Sequence, residues 1–185
     1  MTKLFDSFPQ LKNDKIVIRK MIENDVEALA EISNNDHVYK YIPPFLYKKN
    51  SNFLLTAIRN LGGRDFEKKK RIIAGIYLND STNRLVGLSE MFDYKKRANT
   101  ITVGYQINEA FWNQGIATNA IELMIAYLSK EIGISIIRAF VMPDNIYAGK
   151  ALLKNGFQKE EYVVQKKNWG GQEAVDVDVY TYISK

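Results

Sequence analysis

The part of this sequence best suited to chemistry is the turn between a strand and a helix around Gly115. Residues 104–107 are typical of a strand end, and an amphipathic helix is predicted from about 114 to 130. The turn contains Gly115, followed closely by Ala117 and Thr118. The first N–H groups of a helix have no partner within it, and the aligned peptide dipoles make this end partly positive. Together these features predict a site for a phosphate-bearing ligand that needs no basic side chain.

Three well-known phosphate-binding motifs can be tested on this segment, and none of them fits. A Walker loop requires Gly-Lys-Ser/Thr after a glycine-rich run, and the sequence contains no such run. A dinucleotide fingerprint requires three spaced glycines, whereas Gly115 stands alone. A protein kinase requires a much longer chain with its own set of motifs. The segment therefore indicates a phosphate site of another kind.

The composition excludes several other classes of site. The chain has 185 residues, of which 46% are hydrophobic and 25% charged, and it contains no cysteine. Disulfides, cysteine–zinc sites and a thiol nucleophile are therefore excluded. His37 is the single histidine, so a metal site with several histidine ligands cannot form, and we predict no metal centre. The length and the ordinary proportions predict one domain over residues 1–185.

The formal net charge of +5 comes partly from two basic clusters, at residues 68–71 and 95–97. We interpret both clusters as solvated loops, and attraction of a nucleotide cofactor or of RNA is the alternative interpretation. The N-terminus lacks the apolar core of a secretion signal, and the apolar stretch 120–128 is too short to span a bilayer. The sequence therefore predicts a soluble, cytoplasmic protein with no membrane partner.

The order of the predicted elements indicates the fold class. Strands are predicted at residues 15–21, 71–78, 84–94, 99–107, 134–142, 157–167 and 173–183. Helices are predicted at residues 24–34, 51–61, 114–130 and 146–155. The apolar run 134–142 predicts a strand buried on both faces, and the alternation in 173–183 predicts a last strand with one wet face. Hairpins mixed with helical crossovers indicate an α+β fold with helices on the faces of a sheet.

The start of the long helix resembles the acyl-CoA-binding motif of the GNAT superfamily of N-acetyltransferases. Gly115, Ile116 and Ala117 match the second half of its pattern, Gln/Arg-x-x-Gly-x-Gly/Ala, while Trp112 occupies the Gln/Arg position. An aromatic residue followed by Trp-x-x-Gly-x-Ala-Thr-x-Ala is typical of the ribosomal-protein N-acetyltransferase branch, the RimJ/RimL type. Residues 111–120 follow that element closely.

Two further segments carry the same resemblance. Residues 145–157 are similar to the Asn-x-x-Ser-x-x-x-Leu-x-Lys-x-Gly-Phe element of that branch, with Ala148 in place of the serine. Residues 19–41 are similar to its N-terminal region, so the resemblance spans about residues 15–183. It implies a GNAT-like α+β fold: a mixed, mostly antiparallel, twisted sheet of about six to seven strands with helices on both faces.

The resemblance implies transfer of an acetyl group from acetyl-CoA, as co-substrate, to a primary amine. The diphosphate of coenzyme A (CoA) is expected on the N–H groups at the helix start, and its pantetheine arm beside the end of the preceding strand. A backbone N–H at that strand end would polarise the thioester carbonyl, a role typically worth about 3–4 kcal/mol. The cofactor-binding residues implied are Ile107, Asn108, Asn113, Gln114, Gly115, Ile116, Ala117, Thr118 and Asn145.

The incoming ammonium must lose a proton before it can attack, so the reaction needs a base. The branch often has a glutamate where this chain has Thr102. Glu90, on the neighbouring strand, is the first candidate for the base and Glu160 is the second, although either could be an ordinary surface carboxylate. Tyr105 is the third catalytic candidate, because it could hydrogen-bond the substrate or lie in the core. The proton for the leaving thiolate could come from water or from Tyr147.

The branch resemblance favours the α-amine of a protein N-terminus, of the ribosomal-protein type, as the acceptor. A small-molecule amine, such as a polyamine, an amino-sugar antibiotic or an amino acid, is the alternative. Because Thr102 and Ala148 depart from the family pattern, a non-catalytic acyl-CoA sensor is a further alternative. The aromatic residues are not interleaved with Lys or Arg in a known motif, so direct nucleic-acid binding is not expected. Monomer and homodimer are both compatible with the sequence.

Three features around the expected acceptor site have two interpretations each. His37 is either structural or at the mouth of the substrate site. The aromatic segment 39–47 resembles the family's substrate-covering region, and its alternative role is core packing. Trp169, at the tip of the last predicted hairpin, would cover a substrate or contact a partner subunit.

Overall fold

A computed structural model describes residues 3–184, so the two ends of the predicted domain, residues 1–2 and 185, lie outside the described part. The strands are β1 Leu11–Lys12, β2 Ile16–Arg19, β3 Arg71–Leu78, β4 Leu85–Lys95, β5 Thr100–Ile107, β6 Ile136–Val141, β7 Gln158–Trp169 and β8 Gln172–Ile183. The α-helices are α1 Val26–Ser33, α2 Asp36–Tyr39, α3 Ser51–Gly62, α4 Arg64–Glu67, α5 Ile116–Ala126 and α6 Ile146–Lys154. A π-helical turn, Tyr127–Ile132, continues α5 to Gly133.

The strands form a single sheet in the order β1-β2-β3-β4-β5-β6-β8-β7. Every neighbouring pair is antiparallel except β5 and β6, so the predicted mixed, mostly antiparallel sheet is confirmed. The sheet has eight strands rather than six to seven. The additional strand is β1, whose two residues pair with Val17 and Ile18 and are too few to show a periodic pattern.

The parallel strands β5 and β6 separate after a short contact. They pair only from Thr100, opposite Ile136, to Thr102, opposite Arg138. Beyond Thr102, β5 continues to Ile107 while its other edge stays paired with β4. The edge of β5 that faces β6 therefore has no strand partner over residues 103–107, and a gap opens between the carboxyl ends of the two strands.

A hydrophobic core lies on each face of the sheet, and alternate residues of β3 contribute to both. Ile72 and Ile76 pack into the core that includes α5, whereas Ile73 and Tyr77 pack into the core that includes α1 and α3. Because a strand presents successive side chains to opposite faces, β3 needs apolar residues throughout. The helices on both faces confirm the predicted architecture. Within residues 3–184 no helix has the length and hydropathy needed to cross a membrane.

Two predictions about strand faces were wrong in part. In β6 only alternate side chains are buried, and the others, including Phe140, are half-buried. The ring of Phe140 is covered by the Lys166 ammonium, 3.8 Å from its centroid, rather than by a second core. In β8 the expected wet face holds Asp178 and Tyr180, and both are buried. Asp178 is paired with Lys159, at 2.7 Å between Nζ and Oδ2.

Candidate functional site

The loop before α5 has the geometry of an anion-binding turn. Asn113 and Gly115 both have left-handed backbones, with φ of +60° and +78°. The indole of Trp112 anchors the loop to the preceding strand, because its Nε1–H donates to the carbonyl of Ile107 at 2.8 Å. Gly115 is the N-cap of α5, which begins at Ile116, two residues later than the predicted helix start at 114. Glycine suits this position because a left-handed conformation carries no steric penalty for it.

Six consecutive backbone N–H groups in this loop, those of residues 113–118, have no hydrogen-bond partner among the described residues. The first bond of the helix is donated by Asn119 to the carbonyl of Gly115, at 3.0 Å. Asn113 and residues 115–118 line a cavity of about 610 Å³. Unpaired N–H groups at the positive end of a helix dipole favour an anion in that cavity.

A network of asparagine side chains ties this loop to the turn between β1 and β2. Asn119 Nδ2 donates to the Gly115 carbonyl at 2.8 Å, and Asn119 Oδ1 accepts from Asn13 Nδ2 at 2.8 Å. Asn13 Oδ1 in turn accepts the N–H of Lys15 at 3.0 Å. The ammonium of Lys15 lies 3.8 Å from where a Cβ on Gly115 would stand. Sequence reasoning missed this cation, since only the tertiary pairing of β1 and β2 brings it to the loop.

A second cavity, of about 350 Å³, adjoins the first. The residues that line both are Tyr41, Ile42, Tyr105, Gln106, Asn145 and Ala148. They belong to the end of β5, the start of α6 and the segment before α3, so the cavities meet where β5 and β6 separate. A ligand in the larger cavity can therefore present a reactive end to the smaller one.

Glu90 of β4 lines the smaller cavity. It stands opposite Gly104 of β5, and a Cβ on Gly104 would lie 4.0 Å from its Oε2. The missing side chain at Gly104 leaves the carboxylate open to the cavity. Burial raises the pKa of Glu90, and the guanidinium of Arg71, 3.7 Å from Oε1, opposes that rise. The side chain retains 34% of its accessible surface, so a ligand can reach it.

Three polar atoms near the junction of the cavities are buried and have no hydrogen-bond partner among the described residues. They are the hydroxyls of Tyr39 and Tyr105 and the Oε1 of Gln106. Burial raises the pKa of both phenols, so both are protonated and able to donate at neutral pH. Unsatisfied buried groups are costly, which favours a ligand that bonds to them. The sequence singled out Tyr105, whereas Gln106 was missed.

The remaining predicted cofactor residues fall into two groups. Ile107 lines the larger cavity, and Asn145 lines both cavities as the N-cap of α6, accepting the Ala148 N–H at 3.3 Å. Asn108 is buried and lines neither cavity, and its Nδ2 donates to Glu31 Oε2 at 3.2 Å. Gln114 belongs to the loop with unpaired N–H groups but is not part of the cavity wall.

The other predicted catalytic and mouth residues are spread more widely. Glu160 lies in the edge strand β7 and lines neither cavity, so the structure does not bring it to Glu90. His37 is at the edge of the larger cavity, with Nδ1 2.7 Å from Glu109 Oε1. Tyr147 lines the same cavity and is 72% exposed. Within residues 3–184 no group of three or more His, Cys, Asp or Glu is placed to hold a metal ion.

Comparison with known proteins agrees with this geometry. Residues 15–158 match the family model described as "Acetyltransferase (GNAT) domain". The protein described as "Uncharacterized N-acetyltransferase YoaA" of Bacillus subtilis is 29% identical over 178 residues, covering 95% of this chain and 97% of YoaA. Two solved structures share the fold. RimL, a ribosomal L7/L12 α-N-protein acetyltransferase in complex with CoA, has a TM-score of 0.80 at 16% identity, covering 95% of this chain and 98% of RimL. The microcin C7 self-immunity acetyltransferase MccE, in complex with acetyl-CoA and AMP, has a TM-score of 0.79 at 22% identity, covering 92% and 93%.

Proposed function

Since the chain belongs to the GNAT family of acetyltransferases and uses acetyl-CoA as its co-substrate, we propose that residues 113–118 bind the diphosphate of that molecule. The observation that carries this proposal is the run of six unpaired N–H groups in residues 113–118, five of which belong to residues that line the larger cavity. Thr118 adds a hydroxyl at the same helix start. A diphosphate would satisfy donors that have no partner in the protein and would meet the positive end of the helix dipole.

The pantetheine arm then lies in the gap between β5 and β6. The edge of β5 beyond Thr102 has no strand partner, so its backbone groups are free to pair with the amides of the arm. An arm that follows this edge brings the thioester from Ile107 towards the junction of the cavities, near Tyr105 and Asn145. A backbone N–H of β5 would polarise the thioester carbonyl there as its oxygen gains charge.

The acceptor amine occupies the smaller cavity, where Glu90 acts as the base. Glu90 takes a proton from the ammonium, directly or through one water, and the nitrogen lone pair attacks the thioester carbon. After attack the nitrogen releases its second proton to solvent, the C–S bond breaks as the amide forms, and CoA leaves as the thiolate. Tyr105, a buried donor without a partner, hydrogen-bonds the leaving sulfur, and the sulfur regains its proton from solvent. Glu160, outside both cavities, has no role in this scheme.

We propose the α-amine of a protein N-terminus, of the ribosomal-protein type, as the first candidate acceptor. It is supported by the resemblance of residues 111–120 and 145–157 to that branch of the family, and RimL, whose fold this chain shares, acts on a ribosomal protein. A compact amine is the second candidate. It is favoured by the indole of Trp169, which lines the smaller cavity and is hydrogen-bonded to the carbonyl of Tyr41.

Two variants that are matched in size but differ in charge test the cofactor site. Gly115→Glu places a negative charge at the unpaired N–H groups and should abolish acetyl-CoA binding measured by calorimetry. Gly115→Gln has the same size and the same backbone strain without the charge, and it should bind more weakly than wild type but measurably. Wild-type affinity in Gly115→Glu would contradict the proposal.

The acceptor and the reaction are tested together by thiol release from acetyl-CoA. The panel contains peptides with free N-termini, polyamines, amino sugars and amino acids. Release with one of these classes identifies the acceptor. Tight acetyl-CoA binding without release with any of them would favour the non-catalytic sensor instead.

A further inference from the structure

The tip of the β7–β8 hairpin is fastened to the segment that covers the smaller cavity. The Trp169 indole N–H donates to the carbonyl of Tyr41, and the backbone N–H of Gly170 donates to the carbonyl of Ile42 at 3.2 Å. Trp169, Tyr41 and Ile42 all line the smaller cavity. The hairpin tip therefore closes one side of the space in which Glu90 is exposed.

The hairpin tip packs so closely against this segment that position 170 requires glycine, whereas position 171 does not. Gly170 has φ of +58°, and a Cβ there would lie 2.6 Å from the Lys40 carbonyl oxygen and 2.8 Å from Met142 Sδ. Gly171 also has a positive φ, +73°, but a Cβ there would meet nothing within 4 Å. Substitution by alanine imposes similar backbone strain at both positions, and at Gly170 alone it forces the tip away from the segment.

We propose that Trp169 and Gly170 form a clasp that selects acceptors by size, an inference that rests on the proposed position of the acceptor beside Glu90. With the clasp closed, the Trp169 ring bounds one side of the cavity, and an acceptor that extends past its reacting amine towards this side must displace the tip. Loss of a hydrogen bond such as those in the clasp changes an equilibrium constant by about tenfold, here the one between the closed and the displaced hairpin tip. Trp169 and Gly170 are thus specificity-determining residues, although neither needs to touch the thioester.

The experiment measures kcat/KM for the best wild-type acceptor and for a longer homologue that carries the same reacting amine. In Gly170→Ala the ratio of the longer to the shorter acceptor should rise about tenfold. Trp169→Ala removes the wall and should raise the same ratio. Trp169→Phe keeps a ring but removes the donor, and its ratio should fall between wild type and Trp169→Ala.

Gly171→Ala is the matched control and should keep the wild-type ratio, and all four variants should keep the wild-type KM for acetyl-CoA. Equal melting temperatures of Gly170→Ala and Gly171→Ala would show that the change in the acceptor ratio arises at the hairpin tip and not from a loss of overall stability. An unchanged acceptor ratio in both Gly170→Ala and Trp169→Ala would overturn the clasp. Failure of the wild type to bind acetyl-CoA would instead overturn the proposed cofactor site, so the two failures are distinguishable.

Discussion

Glu90 is the residue on which the proposed chemistry depends most directly. Replacing it by glutamine keeps its shape but removes its ability to accept a proton, so kcat should fall about a hundredfold. Because burial raises the pKa of Glu90, the wild-type rate should increase with pH through a value above the ordinary carboxyl range. Below that value the carboxyl is protonated and cannot act as a base. Steady-state rates across pH test this, and Glu90→Gln should lack the increase.

The control for this variant is Glu160→Gln, which removes a carboxylate outside both cavities and should leave kcat unchanged. A raised pKa means that the charged form of Glu90 is disfavoured in the folded state, so Glu90→Gln should not lower the melting temperature at neutral pH. A Glu90→Gln enzyme with a wild-type rate and pH profile would remove this residue from the mechanism.

Lys15 adds a positive charge beside the unpaired backbone N–H groups of the anion site. Lys15→Gln should weaken acetyl-CoA binding about fivefold, an effect limited by the exposure of the ammonium and smaller at high salt. Lys12→Gln makes the same charge change on β1, where no Lys12 atom lies within 4 Å of a Cβ placed on Gly115, and should bind nearly as wild type. Dephospho-CoA should show the same loss, because the expected partner of Lys15 is the diphosphate. A loss seen only with intact CoA would contradict that assignment.

At the scale of elements, α6 is positioned against the sheet by one glycine. A Cβ on Gly149 would lie 2.5 Å from the hydroxyl oxygen of Tyr180 in β8. Gly149→Ala should therefore lower the free energy of unfolding by about 1–3 kcal/mol, despite the better helix propensity of alanine. Adding Tyr180→Phe removes the clashing atom and should restore part of that loss in denaturant titrations. A single Gly149→Ala variant as stable as wild type would refute this packing argument.

Periodicity and turn chemistry were sufficient to predict most of the elements that build the site. The prediction for α3, residues 51–61, differs from the observed helix by one residue, and β3 was predicted with its observed bounds. The helix predicted at 114–130 is present as α5 and its π-helical continuation, with left-handed Gly115 at its start and left-handed Gly133 after its end. These features are local, because each depends on residues within about one helical turn or one strand.

Features that depend on distant contacts were not predicted. The strand β1 has two residues, and α2 and α4 have four each, so none leaves a periodic signal. The sequence of β8 alternates as if one face were wet, but Asp178 is buried beneath Lys159, which no local pattern reveals. Within the site, Glu90 was predicted, whereas Lys15 and Gln106 become recognisable only when the sheet brings separate strands together.

At the scale of the whole molecule, both cores contribute residues to the walls of the smaller cavity. The core that includes α5 and the core that includes α1 and α3 lie on opposite faces of the sheet. The larger cavity is bounded by α5, α6 and the end of β5, and the smaller one by β3, β4 and the segment before α3. Acetyl-CoA in the gap between β5 and β6 would link elements from both faces, so its binding should stabilise the molecule as a unit.

Ligand binding therefore provides a test of the whole arrangement. Acetyl-CoA at about a hundred times its dissociation constant stabilises the folded state by about 2.7 kcal/mol, which for a chain of this size raises the melting temperature by roughly 5–10 °C.

Hydrogen exchange should show which backbone amides are protected by bound acetyl-CoA. The amides of residues 113–118 should gain the most protection, because they lack partners and would donate to the diphosphate. Amides of residues 103–107 should gain protection where the pantetheine arm follows β5, whereas those of β2, already paired within the sheet, should change little. Stabilisation with the new protection confined to the β7–β8 hairpin would place the ligand elsewhere and contradict the proposed site.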